Sequence, residues 1–479
     1  MTTYERAFED HARGHLYLAE RGYRDALREN PRHAGAHSNL GVVCFQQHRF
    51  DEAVIHYQDA LCLDPSAAIV YSNMSAALVA MNRPVDALPF SAVSAERDPA
   101  NIPALSNLAD VLLRLNRHAD VIEVLEHLLT LDPAFPKALT NLGIAHVSLN
   151  NIDAARSLFQ QALTTDRPQP PRDAALAQAN IAKLELARGD FSPATWEHYE
   201  ARFQADGLAR RYTKHVPWDG KPWPLATLIV VAEQGLGDEI LYLSMLPDLR
   251  RAFQGRIIWE ADRRLHSIVP AQIRGNATFE TRTLANTDRH PEATCRIDAG
   301  SLGRYLRTER DDFPKRPWLH AARHMIPAGP RIGLSWRSVT PAHGRAKTIP
   351  LSEWSEALDV LRTRGARTVN LQYGETPELD AYPFVFRPNR DFRYEIAALA
   401  REIASCTHVF TASNTTAHLA GALGVPTTVF VPDGMARYWY WGFGDTTPWY
   451  PSIRIVRQNG RPWSDVLKDA ALDITRQSP

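Results

Sequence analysis

Residues 232–251 read "AEQGLGDEILYLSMLPDLRR" and follow an apolar, β-rich run, "ATLIVV" (226–231). The period then changes to that of a helix. Gly235 and Gly237 sit at the turn, with Asp238 and Glu239 just after them. A glycine-bearing turn from strand into helix commonly cradles phosphate, because the first N–H groups of the helix point outward unpaired. Two acids at that point would repel a phosphate. Three readings stay open on these residues: a dinucleotide cradle, a catalytic carboxylate, or acids that complement the helix dipole, worth about 0.3–1 kcal/mol.

Downstream, short β-rich runs alternate with amphipathic helical stretches: "RIIWEA", "RIGLSW" (331–336), "RTVNLQ" (367–372), "HVFTAS" (408–413) and "TTVFVP" (427–432). That alternation predicts parallel sheets with helices on both faces. Two blocks are visible, a first domain over 207–327 and a second over 328–479, joined through Gly329-Pro330. The closing helix "WSDVLKDAALDITRQ" is expected to pack back across a cleft between them. Two such domains place a ligand at the carboxyl ends of their strands.

Upstream lies a repeat. Pro31, Pro65, Pro99 and Pro133 recur every 34 residues, in phase with Asn39, Asn73, Asn107 and Asn141. Small residues hold further fixed places, such as Ala26, Ala60 and Ala162, or Ala53, Ala87 and Ala155. The phase slips through "RPQPPRDAA" and resumes with Asn180 and Ala194. A 34-residue period of this kind resembles the tetratricopeptide repeat, an α-solenoid of stacked helix pairs, here over 1–206. A degenerate first unit, four clear units and a sixth capping unit are expected. The resemblance implies that the asparagines lie on the first helix of each unit and line a concave face. Their amides, donor and acceptor at once, suit a bound peptide backbone; equally, asparagine there need bind nothing.

Size and charge narrow the class. A chain of 479 residues exceeds one ordinary core. Lys plus Arg equals Asp plus Glu, 54 each, so there is no global pull toward nucleic acid or a membrane surface. No run is long and apolar enough for a membrane span, and no secretory leader is visible. The four cysteines are scattered, as buried thiols in a reducing compartment would be. A cytoplasmic location is expected. No Asp-x-Asp, H-E-x-x-H or Cys/His motif suggests a metal.

"GLGDEILYLSMLPDLRR" and "SNTTAHLAGALGVPTTVFVP" resemble the two signatures of heptosyltransferase-like (family 9) glycosyltransferases, which have the GT-B fold of two facing Rossmann-like domains. "TPWYPSIRIVRQ" and "WEHYEARF" are similar to segments of bacterial fusions of tetratricopeptide repeats with such a domain, some of which glycosylate flagellin. The resemblance covers nearly the whole chain. It implies Asp238 as the base of an inverting, metal-independent transfer, with Glu239 in reserve and Gly235 and Gly237 serving the turn and the approach of the sugar. It implies Lys347 as the neutraliser of the donor phosphates and Glu375 as a nucleoside contact.

Read from their own chemistry, Arg337, Arg345 and Lys347 suit an anion, or are solvated loop cations. Thr415, Thr416 and His418 open a helix whose dipole favours phosphate, with Ser413 or Asn414 as its cap. His418 reads equally as a core residue. The family's usual aspartate is replaced by Ser413. That replacement points away from ADP-heptose and toward a CMP-activated nonulosonic acid. The aromatic stretch 434–450, with Trp439 and Trp441, either frames the pocket or forms core beneath a loop. The expected activity is O-glycosylation of a protein, flagellin being the acceptor the resemblance implies, held by the repeats. A silent repeat scaffold and a transferase with a saccharide or lipid-linked acceptor are the rivals.

Overall fold

The computed structural model describes residues 1–207, 209–282, 289–324, 329–338, 344–433 and 438–476, with the side chain of Arg345 outside that set. The chain forms two compact units, Met1–Ala177 and Gln178–Pro479.

The first unit is helical: α1 (Thr3–Ala12), α2 (Leu16–Glu29), α3 (Ala34–Gln46), α4 (Phe50–Leu63), α5 (Ala68–Ala80), α6 (Pro84–Arg97), α7 (Ile102–Arg114), α8 (His118–Leu131), α9 (Pro136–Ser148) and α10 (Ile152–Thr164). They pack as successive antiparallel pairs. The second helices α2, α4, α6 and α8 stop at a residue before proline, and Asn30, Asp64, Asp98 and Asp132 leave the helical region as that position demands. Each first helix ends one residue short of a left-handed residue: His48, Asn82, Asn116 and Asn150 have φ of 61°, 57°, 58° and 65°. Asparagine tolerates this conformation at little cost. Small residues set the distance between paired helices. A Cβ on Gly41 would lie 2.6 Å from the Tyr57 ring, and one on Gly143 2.5 Å from Phe159.

The asparagine series does not stand free as an open ladder. Asn39 Nδ2 donates to Tyr4 Oη (3.0 Å), Asn107 Nδ2 to Ser72 Oγ (2.9 Å) and Asn141 Nδ2 to Asp110 Oδ1 (2.8 Å). Stacking first helices one repeat apart brings these groups together, so three of the amides tie neighbouring units. Asn73 is half-buried, and Asn180 falls in the second unit with its Nδ2 buried and without a partner.

Helix α11 (Pro171–Arg188) spans the break between the units, and α12 (Pro193–Tyr199) belongs to the second. The compact boundary therefore precedes the expected one at 206. Trp196 and Tyr199 of α12 are buried in the core of the α/β unit, where Trp196 meets Trp439 edge to face at 5.6 Å.

That unit contains two five-stranded, wholly parallel sheets. The first uses β1 (Val216–Pro217), β2 (Thr227–Val231), β3 (Arg256–Ala261), β4 (Thr278–Thr281) and β5 (Cys295–Asp298), in the order β1-β5-β2-β3-β4. The second uses β6 (Arg331–Ser335), β7 (Arg367–Asn370), β8 (His408–Ala412), β9 (Thr427–Val431) and β10 (Ile453–Arg457), in the order β10-β9-β8-β6-β7. Strand order reverses at β2/β5 in one sheet and at β6/β8 in the other. Such switch points open crevices at the strands' carboxyl ends.

The final helix, Trp463–Arg476, corrects one expectation. It stays on the second sheet's own core, where Val466, Leu467, Ala470 and Ala471 cluster with Trp354, Leu358 and Phe430. Its apolar stripe is satisfied there, and Lys468 pairs with Glu356 at 2.8 Å.

Candidate functional site

The helix Leu236–Leu243 starts at the β2/β5 switch point. Gly235 is its N-cap in extended conformation (φ −101°, ψ 173°), and its N–H donates to Asp238 Oδ2 at 3.1 Å. Neither Gly235 nor Gly237 has positive φ; the left-handed residue of the turn is Gln234, at φ 61°. Side chains and its own carbonyl hold it there: Nε2 donates to Tyr199 Oη, Oε1 accepts from Tyr242 Oη, and the carbonyl accepts from Arg282. Gly237 is required for another reason. A Cβ there would come within 2.7 Å of His418 Cδ2, so the absence of a side chain lets the start of the first sheet's helix meet the helix Thr415–Leu423 of the second.

The two acids of the motif part company. Glu239 is buried and fully engaged, Oε2 accepting from Asp262 N–H (2.6 Å) and Oε1 from Arg282 (2.8 Å). Both of its oxygens are thus engaged in holding the turn. Asp238 remains partly accessible, and burial pushes its carboxyl up to about 6, against the pull of the Gly235 N–H and of Lys347. Lys347, from the β6 side, is buried with Nζ 3.8 Å from the Tyr438 ring centroid. Burial brings its ammonium down to about 8, with the Asp238 charge resisting. Among the described residues no carboxylate lies within ion-pair distance of it. Asp238 and Lys347, from the two different sheets, thus lie close enough for their charges to interact, and Tyr438, Tyr440 and Tyr450 also feel the Asp238 charge.

At the β6/β8 switch point Asn414 is the N-cap, its Oδ1 accepting from Thr416 N–H (2.9 Å). Its Nδ2 bridges the crevice to Ser335 Oγ (2.9 Å) and the Arg337 carbonyl (3.0 Å). The Thr416 N–H, expected to face a ligand, is thus already paired, and the neighbouring Ala417 N–H bonds the Asn414 carbonyl. Thr415 is half-exposed. Thr416 Oγ1 is buried without a partner. A buried hydroxyl left unpaired costs about 1–3 kcal/mol, which a ligand or a water would recover.

Three further expectations change. Ser413 is buried and accepts the Trp441 indole N–H at 2.9 Å, so it braces the aromatic segment. His418 is a core residue: Nδ1 meets Tyr450 Oη at 3.0 Å, Tyr440 and Trp441 flank the ring, and burial lowers it to about 3, leaving it neutral. Arg337 pairs with Glu378 (2.6 Å), and the Glu375 backbone carbonyl takes its other N–H, while the Glu375 carboxylate is exposed. The Arg345 side chain, loop 339–343 and residues 434–437 lie outside the described residues.

The sequence reading missed a buried lock beside Asp238. Arg202, fully buried, forks onto Glu233 (Nε to Oε2 2.9 Å, Nη2 to Oε1 2.8 Å), reaches Glu200 and Ser301, and stacks over Tyr199 and Phe203. Gly300 N–H closes the remaining side of Glu233 across the switch point. The only sequence signal was charge inside two separate apolar stretches, "WEHYEARF" (196–203) and "AEQG" (232–235). A separate cavity of about 420 Å³ at the β1/β5 edge is lined by Arg210, Trp218, Arg296, Asp298 and Tyr305 and by no residue expected to act.

With this geometry in view, the repeat unit finds its kin. Residues 34–67 and 116–181 match tetratricopeptide-repeat models. The chain contains tetratricopeptide repeats. Protein FlbA of Caulobacter vibrioides is 30% identical over 321 residues, 60% of this chain, and the match spans about half (52%) of that relative's length. Solved structures with similar regions include PilW, a type IV pilus biogenesis factor (TM-score 0.37, 21% identity, 43% of this chain and 93% of that one). YrrB, described as a repeat protein with an unusual peptide-binding site, gives TM-score 0.33 and 19% identity over 36% of this chain and 88% of its own. No described helix is long and apolar enough to cross a membrane.

Proposed function

We propose that the chain is a glycosyltransferase of GT-B type that modifies a protein held by its repeats. The observation that carries this reading is the pair Asp238–Lys347: a partly accessible acid and a buried cation with no ion-pair partner among the described residues, set at the switch points of two parallel sheets and close enough for their charges to interact. An acid held near 6 is mostly ionised at neutral pH yet basic enough to take the proton of an attacking hydroxyl. A desolvated ammonium stabilises a departing phosphate more strongly than one in water. The acceptor hydroxyl attacks the anomeric carbon as Asp238 takes its proton, and the sugar–phosphate bond breaks with its electrons going to the nucleotide beside Lys347 and Thr416. A serine or threonine of a protein such as flagellin, and a CMP-linked nonulosonic acid, remain the acceptor and donor of this reading. A protein-binding role is supported by the tetratricopeptide repeats themselves. The scaffold reading is favoured by one observation, the internal pairing of the Asn414 cap.

Thermal stabilisation by CMP, CDP, ADP, UDP and GDP tests the proposal, since a ligand of the folded state raises the midpoint with its concentration. A shift with one nucleotide, lost in Lys347→Ala, is expected. No shift with any of the five favours the scaffold. Intact-mass measurement of co-expressed flagellin then reads transfer directly.

A further inference from the structure

In the first unit, His37 on α3 and His56 and Asp59 on α4 converge. One ligand atom from each lies within 4.8 Å of the others. The antiparallel pairing of α3 with α4 sets the start of one helix beside the latter half of the other, and the three-residue spacing of His56 and Asp59 puts both on one face.

The hydrogen bonding orients the ligands. His37 Nε2 lies 3.1 Å from the Pro31 carbonyl, which can only accept, so in the neutral ring the proton sits on Nε2. Its Nδ1 then presents a lone pair, buried and with no hydrogen-bond partner, 3.5 Å from Asp59 Oδ2. His56 Nδ1 is buried and unpartnered as well. One ligand atom from each of two imidazoles and one from a carboxylate therefore share one small space. A cation placed between them would satisfy all three.

We propose that His37, His56 and Asp59 bind one divalent transition cation of the zinc class, clamping α3 to α4. Two imidazoles and a carboxylate are a borderline-soft donor set that suits zinc, cobalt or nickel rather than magnesium or calcium. With metal–ligand bonds of about 2.0–2.2 Å, tetrahedral ligands stand roughly 3.3–3.6 Å apart, which the His37–Asp59 distance meets; small side-chain rotations bring His56 in. The His37 hydrogen bond to the Pro31 carbonyl is the outer contact that ligating histidines ordinarily make. Water completes the fourth position.

The test is titration of the metal-free full chain with cobalt(II), followed by its visible d–d absorption, and displacement by zinc(II). One equivalent bound, tetrahedral in spectrum, is expected, with a rise in thermal midpoint on adding zinc. Loss of a ligand should exceed the roughly 10–100-fold weakening that outer contacts produce, so His56→Gln and Asp59→Asn should abolish stoichiometric binding and the midpoint shift. His127→Gln, on α8, should leave both intact. Asp59 is half-exposed, so Asp59→Asn carries the test if His56→Gln does not fold. No cobalt absorption with ten equivalents present, or one-to-one binding that survives both substitutions, would overturn the proposal.

Discussion

The mouths of the two parallel sheets are built from similar parts and end in opposite conditions. At the first, the buried carboxylates Glu233 and Glu239 have every oxygen engaged, by Arg202 and Gly300 in one case and by Arg282 and Asp262 in the other. At the second, among the described residues, Lys347 is buried with an aromatic ring and no paired acid, and Thr416 Oγ1 is buried with no partner. Satisfied charge rigidifies a fold, whereas unsatisfied charge costs stability that only a ligand returns. The contrast separates the residues that build the crevice from those waiting in it, and Asp238 is the acid that belongs to the second group while sitting on the first sheet.

The comparison can be broken most severely at Asp238. Replacing it with Asn should lower sugar transfer by about 10²–10⁴-fold, the usual worth of a general base, while leaving nucleotide binding in place. Its stability should move the other way. Burial holds the folded-state value near 6 against 3.8 in the unfolded chain. The ionised carboxylate therefore weakens the fold above about pH 6, and the Asn variant should be the more stable there by about 1–3 kcal/mol. That advantage should shrink as pH falls and vanish below 3.8, which denaturant titrations at several pH values would show. In the unmodified chain the transfer rate should rise through about pH 6, as Asp238 loses its proton, and fall above about 8, as Lys347 loses its own.

Arg202→Met probes the opposite condition. It strands Glu233 in the core and should cost about 3–5 kcal/mol by urea denaturation; a loss below 1 kcal/mol would show that the first mouth is not locked by that pair. Gly237→Ala sharpens the contact between the mouths. The new methyl meets a histidine ring wedged between Tyr440 and Trp441 that has little room to yield, so about 1–3 kcal/mol should be lost. Thr416→Val should be the mildest change to the fold, within about 1 kcal/mol and tending to stabilise, because it removes an unpaired buried hydroxyl. Nucleotide affinity measured by calorimetry should nonetheless fall; unchanged affinity would remove Thr416 from the donor site.

Local pattern was enough to identify the repeats, two of the first sheet's five strands, four of the second's and the turn at 235–239. A 34-residue period, an apolar run and a glycine pair act over a few neighbouring residues, and the chain carries that information in order. The strands at 216–217, 278–281, 295–298 and 453–457 escaped because they are short or carry charges: Arg296 and Asp298 on β5 look exposed in sequence and pair with each other at 3.1 Å inside the protein. What tertiary structure alone decided is which polar groups are already taken. Asp238 and Glu239 are adjacent letters with the same charge, yet only Glu239 meets an arginine, 43 residues away in sequence. Gly237 reads as a turn residue and proves to be the space into which His418 fits. His37 stands 19 positions before His56, a spacing with no meaning until two helices lie antiparallel. Sequence determines what each side chain can do; long-range packing, which sets dielectric and partners, decides which of them is still free to do it.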